Sequence, residues 1–330
     1  MTLARMPTRR RFFHFTAGAA ALPLVGRAAR ADTWPSRPVH VISGFPPGGP
    51  ADILGRLIGQ WLSERLGQAF VVENRPGAGS NTATEFVARS AADGYTLLVM
   101  TSANTINATL YEKLNTNFIR DLAPVAGFIR VPQVLEVHPS VPVNSVPELI
   151  AYAKANPGKL SMGSAGIGTV QHVGGELFNH LTGTKIVHVP YRGQAPALLD
   201  LMAGQIQVMF DSAPASLQQI KAGKVKALAV TTATRFSGLP DLPVVADFVP
   251  GYESSAIYGL VAPRATPRQI VDTLNREVNA AMADPKINAR LTGDLGGTIL
   301  ALSPAEFAKL IADETDKWGR VIKAAGIKAE

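Results

Sequence analysis

From residue 38 onward the chain switches repeatedly between short apolar runs and apolar stripes of helical period, and each switch marks an element. Pro38-Val39-His40-Val41-Ile42-Ser43-Gly44 predicts a strand that stops at the punctuated stretch Phe45-Pro46-Pro47-Gly48-Gly49-Pro50. From Asp52, the residues Ile53/Leu54, Leu57/Ile58, Trp61/Leu62 and Leu66 recur at i, i+4 and i+8, which predicts a helix with one buried stripe. Ala69 to Glu73 predicts a second strand, leading through Arg75-Pro76-Gly77-Ala78-Gly79-Ser80-Asn81 into a helix ending near Ser90. Tyr95 to Met100 is continuous rather than alternating, the pattern of a parallel strand covered on both faces. Further strands are predicted near 133–137, 160–163, 185–189, 207–210, 225–230 and 257–262, with helical segments between them.

Three helix starts carry capping signals: Ser145 with Glu148, Thr266 with Gln269, and Ser303 with Glu306, the last two with Pro at the first helical position. In the final helix Phe307, Leu310/Ile311, Trp318 and Val321/Ile322 form the apolar face, and Gly326 is placed to end it. The alternation predicts an α/β fold, and 330 residues allow about two domains. Val137-His138-Pro139 and Val261-Ala262-Pro263 are each followed by a capped helix and read as two chain crossings between lobes. One large doubly wound domain is the alternative.

Charge changes the picture only once it is located. The net charge is +7, but residues 1–31 hold Arg5, Arg9, Arg10, Arg11, Arg27 and Arg30 and no acid, leaving 26 basic against 25 acidic side chains in the remainder. A nucleic-acid role loses its support. Thr8-Arg9-Arg10-Arg11-Phe12-Phe13, an apolar run from Phe15 to Val25, and Ala29-Arg30-Ala31 together read as a twin-arginine-like export signal, with cleavage before Asp32. An ordinary secretory signal is the alternative. The apolar run is too short to span a bilayer, which takes about 20 residues. The chain has no Cys, which excludes disulfides, thiolate metal sites and Cys nucleophiles.

Three strand-to-helix loops offer chemistry. In Phe45 to Asp52 the prolines stiffen the backbone, and Gly48, Gly49 and Ala51 present amides just before a helix N-terminus, a setting that suits a carboxylate. Asp52 either caps that helix or meets a cationic or hydroxyl group of a ligand. Gly163-Ser164-Ala165-Gly166-Ile167-Gly168-Thr169 offers amides and two hydroxyls ahead of a helix carrying His172. It lacks the glycine at 162 of a nucleophile elbow, where Met162 stands, and the Gly-Lys-Ser/Thr of a phosphate loop. The third, Val189-Pro190-Tyr191-Arg192-Gly193-Gln194, brings an aromatic, a cation and an amide; Arg192 either pairs a second carboxylate or faces solvent. Phe210-Asp211 ends another strand and either reaches the cleft or caps the helix near Pro214. His40, His138, His180 and His188 are scattered, without metal-ligand spacing, so neither a metal nor a nucleotide cofactor is expected.

Taken in order, these stretches resemble the Bug family, the TctC-like extracytoplasmic solute receptors of tripartite tricarboxylate transporters. The matching segments are Trp34 to Pro38, Phe45 to Asp52, Val72 to Gly79, Ala92 to Leu97, Ser164 to Thr169 with His172, Val189 to Gly193, and Phe210-Asp211. Ser80 and Ile167 depart from the family pattern, at positions often occupied by Gly and by a polar residue. The resemblance implies a two-lobed periplasmic-binding-protein architecture, a central mixed sheet in each lobe and a ligand cleft between them. The implied lobes are 32–130 with 255–330, and 131–254, after a signal peptide at 1–31. It also implies that the loops at Phe45–Asp52 and Ser164–Thr169 grip a ligand carboxylate, in part through bridging waters.

The candidate ligand contacts are Phe45, Gly48, Gly49, Ala51 and Asp52; Ser164, Gly168, Thr169 and His172; and Tyr191, Arg192 and Asp211. The implied function is capture of a small organic acid in the periplasm by a monomer and its delivery to a two-component membrane permease. A ligand-presenting sensor subunit shares that binding chemistry. An exported α/β hydrolase or isomerase is the enzyme alternative, but no nucleophile–base pair, metal set or tuned carboxylate pair is visible in the loops.

Overall fold

The computed structural model describes residues 1–2 and 34–329; the expected leader and the cleavage site before Asp32 lie outside the described residues. The strands are β1 (Val39–Ser43), β2 (Phe70–Asn74), β3 (Thr96–Thr101), β4 (Leu122–Val137), β5 (Ser161–Ser164), β6 (Val187–Pro190), β7 (Val208–Ser212), β8 (Lys226–Val230), β9 (Ser255–Pro263) and β10 (Thr298–Ile299). The helices are α1 (Pro50–Leu66), α2 (Asn81–Ala88), α3 (Ser102–Leu110), α4 (Phe118–Asp121), α5 (Val146–Ala155), α6 (Val170–Thr182), α7 (Gln194–Met202), α8 (Ala213–Lys221), α9 (Arg268–Ala283), α10 (Pro285–Ala289) and α11 (Pro304–Ala325). Among the described residues no helix is long and apolar enough to cross a membrane.

The strand order is β2-β1-β3-β9-β4-β7-β5-β6, with β10 and β8 also pairing β4. β4 belongs to both halves of this curled sheet. Its stretch from Leu122 to Pro132 runs antiparallel to β9, and Gln133 to Val137 turns to pair β7 and β8. The sequence pattern predicts only the second stretch. Pro124, Gly127 and Pro132 interrupt the first, and the ladder absorbs them by shifting register between Pro124 and Ala126 and between Gly127 and Ile129. β3, expected in a parallel sheet, pairs β1 parallel but β9 antiparallel, so the sheet is mixed.

Side-chain alternation gives the first half two cores. Val39, Val41, Leu97 and Val99 face Leu54, Ile58 and Leu62 of α1 and Leu274 and Val278 of α9. Ile42, Leu98, Met100 and Ile257 face Ala83 and Val87 of α2 and Phe307 and Ile311 of α11. In the second half Leu135, Val137, Met162 and Phe210 pack on Leu149 of α5 and Leu177 and Phe178 of α6. Met209 on the opposite face meets Ala197 and Leu201 of α7. Val321 of α11 packs against cores of both halves. Where the chain crosses between halves, Thr231 and Gln133 bond mutually: Gln133 N donates to Thr231 Oγ1 (3.0 Å) and Thr231 N to Gln133 O (2.9 Å). Ser254 N then donates to Thr231 O (2.9 Å).

Ser145 and Ser303 cap their helices as their spacing predicts, each accepting from the backbone amide three residues on. The cap expected at Thr266 does not form. Thr266 N donates to Pro263 O in a turn, α9 starts after Pro267, and the Thr266 hydroxyl is buried without a partner.

Candidate functional site

Five strand-to-helix junctions meet at one cavity of about 340 Å³. They are β1–α1 and β3–α3 from the first half, and β5–α6, β6–α7 and β7–α8 from the second. Within each half these strands are parallel, so their carboxyl ends and the helix N-termini that follow point the same way. First-turn amides have no intrahelical acceptor, and the peptide dipoles add partial positive charge at each N-terminus. No side chain caps α1, α7 or α8. Among the described residues lining the cavity, Arg192, at the exposed rim, is the one that carries charge, and none is acidic. The site is built for an anion. Phe45, Pro46, Pro47, Ile53, Leu198 and Leu295 supply apolar wall for the remainder of a ligand.

The first loop is held by Asp52, which is 4% exposed. Its carboxylate accepts from Gly48 N (3.0 Å), Arg56 Nε (3.1 Å) and Asn74 Nδ2 (2.9 Å), and Asn74 also donates to Phe45 O (3.0 Å). Burial opposes the charge on Asp52, but Arg56, the Gly48 amide and Asn74 together outweigh it and hold its pKa below the ordinary value. Gly48 takes φ +82°, a left-handed conformation that favours glycine. Phe45, Gly48, Gly49 and Ala51 line the cavity; Asp52 stands behind them and fixes their path.

The second loop is organised by its own polar groups. Thr169 lines the cavity, yet its hydroxyl donates to Gly166 O (2.7 Å) and caps α6. Ser164 Oγ lies 2.7 Å from His188 Nε2, and the His188 ring stacks on His172 with centroids 4.0 Å apart. Gly168 N donates to His172 Nδ1 (3.3 Å). Burial pushes His172 down to about 3, with His188 adding to the fall, and burial pushes His188 down to about 4, so both rings are neutral near pH 7. Gly168, at φ +78°, meets the opposite half: a Cβ there would lie 2.0 Å from Asn107 Oδ1 on α3. Pro46 likewise abuts Gly193 across the cleft, 3.4 Å from where a Cβ would stand.

Of the sequence candidates, the cavity lining thus takes Phe45, Gly48, Gly49, Ala51, Thr169 and Arg192. Asp52, Ser164, Gly168, His172, Tyr191 and Asp211 stand outside that lining. Tyr191 donates its hydroxyl to Asp200 Oδ2 (2.7 Å). Asp211 is fully buried behind the cavity surface, where it accepts from Ser212 N (2.8 Å) and bonds Ser216 Oγ (2.9 Å). Ile167 packs into the first half's core. Sequence reasoning missed the α3 N-terminus, where Thr101, Ser102 and Ala103 line the cavity and Thr101 and Asn104 form a capping box directly after β3. It also missed Gln171 and Tyr258.

The model of the tripartite tricarboxylate transporter family receptor, TctC, matches residues 54–327. The chain belongs to this family. Protein BugT of Bordetella pertussis is 34% identical to this TctC-family chain over 331 residues, covering 99% of both proteins. Rpa4515 of R. palustris, solved with adipate, superposes with a TM-score of 0.86 at 39% identity, covering 89% of this chain and 99% of its own. MatC from Rhodopseudomonas palustris, solved with malate, gives 0.83 at 33% identity, covering 87% and 99%. TctC-family proteins are solute receptors, so this two-lobed chain is a binding protein and not an enzyme.

Proposed function

We propose that the protein is an exported receptor that captures a small organic acid by its carboxylate and hands it to a two-component membrane permease. The observation that carries this is the convergence of five helix N-termini and Arg192 on a cavity whose described lining holds no acid. Apolar walls between the polar ends suit an acid with a short carbon skeleton, and adipate and malate, held by the two similar proteins, are the first probes. The lobes are assigned to 32–130 with 255–330, and to 131–254; the bonds among Gln133, Thr231 and Ser254, where β4 and the segment before β9 cross, support that division. Contacts between lobes, Gly168 on Asn107 and Pro46 on Gly193, support closure over the ligand. A ligand touching both lobes binds the closed form better, and only that difference drives closure. The leader directs export through the twin-arginine route, and removal before Asp32 leaves a monomer. A thermal-shift screen of mono- and dicarboxylates tests the reading: at least one acid should raise Tm in a saturable way, and uncharged amides of the same acids should not. No response to any carboxylate would contradict it.

A further inference from the structure

Behind the cavity lie two acids that ligand capture as described does not use. Glu136 on β4 and Asp211 on β7 are both fully buried. Ser216 Oγ on α8 sits 3.0 Å from Glu136 Oε1 and 2.9 Å from Asp211 Oδ2. A hydroxyl carries one proton to donate. It serves one carboxylate only, so the other contact must be donated by a carboxyl group, and the pair holds a proton. Glu136 Oε2 is buried without a partner, which costs less for a neutral carboxyl than for a charged one. Asp211 instead accepts from Ser212 N and Ser216. The resident proton therefore belongs to Glu136, and Asp211 is the member that titrates. Burial pushes both acids upward, with Asp211 adding to the rise at Glu136, and Asp211 reaches about 7.

The surroundings supply no neutralising cation among the described residues. On α6, Gln171 stabilises charged Asp211, the adjacent His172 is neutral, and Glu176 turns to Asn179. On α7, Gln194 also stabilises charged Asp211, although its Nε2 makes no hydrogen bond of ordinary geometry, and Asp200 is engaged by Tyr191. β5 brings no titratable side chain, and Lys221 lies at the far end of α8. On β4, Arg130 pairs with Glu314, and on β8, which pairs β4 beside Glu136, Lys226 donates to Val143 O (2.7 Å) and Asn144 Oδ1 (3.0 Å). On β9, burial and Asp211 both keep the Tyr258 phenol protonated. Gln171 and Gln194 themselves line the cavity, which places the titrating acid one side chain from a bound anion.

We propose that the Glu136–Asp211 pair takes up a proton as the cavity binds an anion, so that capture tightens on mild acidification. The inference rests on the carboxylate-receptor reading. Charged Asp211 repels the incoming anion through the low-dielectric layer of amides; a proton from solvent removes that repulsion. Affinity rises as pH falls from 8 to 6, then declines below about 4.5 as the ligand's own carboxyls protonate.

Titration calorimetry with adipate at pH 7, in buffers of different ionisation enthalpy, reads the proton directly. Wild type should take up roughly half a proton per adipate and bind about 3- to 10-fold tighter at pH 6 than at pH 8. Asp211→Asn should abolish the uptake and flatten the pH profile. Glu136→Gln, a second variant, replaces the protonated carboxyl with a neutral amide that can still donate to Ser216, so the uptake should persist near the same pH. Adipate binding with no proton uptake and equal affinity at both pH values overturns the linkage alone, as does uptake that survives in Asp211→Asn. If neither adipate nor any acid of the screen binds at either pH, the receptor reading fails and the linkage falls with it.

Discussion

Two buried aspartates, one in each half of the cleft, stand behind helix N-termini that line the same cavity, and they have opposite electrostatic fates. Asp52 is paired with Arg56, Asn74 and the Gly48 amide, and its pKa is held down. Asp211 shares Ser216 with Glu136, has no cation beside it, and is pushed up to about 7. Burial opposes ionisation at both; the identity of the partner decides the sign. The first half is thus a permanently charged latch that fixes its loop, and the second half carries charge that depends on pH. The second half's loop rests instead on neutral groups, the stacked His172 and His188 and the hydroxyls of Ser164 and Thr169.

The largest expected effect comes from forcing the halves apart. Gly168→Val places a branched side chain at a left-handed backbone position against Asn107, so binding should weaken by about 100-fold or more, with a larger radius of gyration in solution scattering at the same ligand concentration. Next is Gly49→Pro, on the first half. Gly49 has φ −79°, and a Cβ there would meet Pro46 O at an ordinary 3.7 Å, so proline fits and only the amide donor is removed. A hydrogen bond to a charged group contributes about 1.5–3 kcal/mol, which predicts an affinity loss of roughly 10- to 100-fold by calorimetry.

The two aspartates should then separate in stability. Asp52→Asn should cost about 1–3 kcal/mol near pH 7 by urea unfolding, because Arg56 and the Gly48 amide lose a charged partner. Asp211→Asn should raise Tm at pH 8. A raised folded value means that the fold holds a proton the unfolded chain has already lost, so wild-type stability falls as pH rises from about 4 through 7. The smallest effect belongs to the histidines. Their folded values near 3 and 4 lie below the unfolded value of about 6.5, so their contribution is complete above that pH and is lost progressively as pH falls toward 4. His172→Gln should flatten that acid slope in a plot of unfolding free energy against pH.

Local signals made much of this legible in the sequence. The apolar stripe from Leu54 to Leu62, the serine caps at 145 and 303, and the proline–glycine loop before α1 each depend on neighbours within a few residues. The first stretch of β4 was hidden because its prolines and Gly127 imitate turn signals, and only pairing with β9 makes a strand of them. Thr101 was hidden for a different reason. Its capping partner is Asn104 rather than Glu or Gln, so the start of α3 lacks the usual signature. The loops that line the cavity were legible as anion-binding turns, but which side chains face it was not. Asp52 and Asp211 look alike in sequence, each beside a predicted helix start, and only the tertiary neighbours Arg56 with Asn74, or Ser216 with Glu136, tell them apart. Glu136, a lone acid in the apolar run from Val134 to Val137, was the visible sign of a buried polar group.

Whether the converging helix N-termini hold the ligand's carboxylate is answered by a crystal structure with the acid that gives the largest thermal shift. A carboxylate should lie within about 3 Å of first-turn amides of both α1 and α6, with Asp52 still bonded to the Gly48 amide behind it. A carboxylate held by Arg192 alone, or a ligand bound outside this cavity, would contradict it.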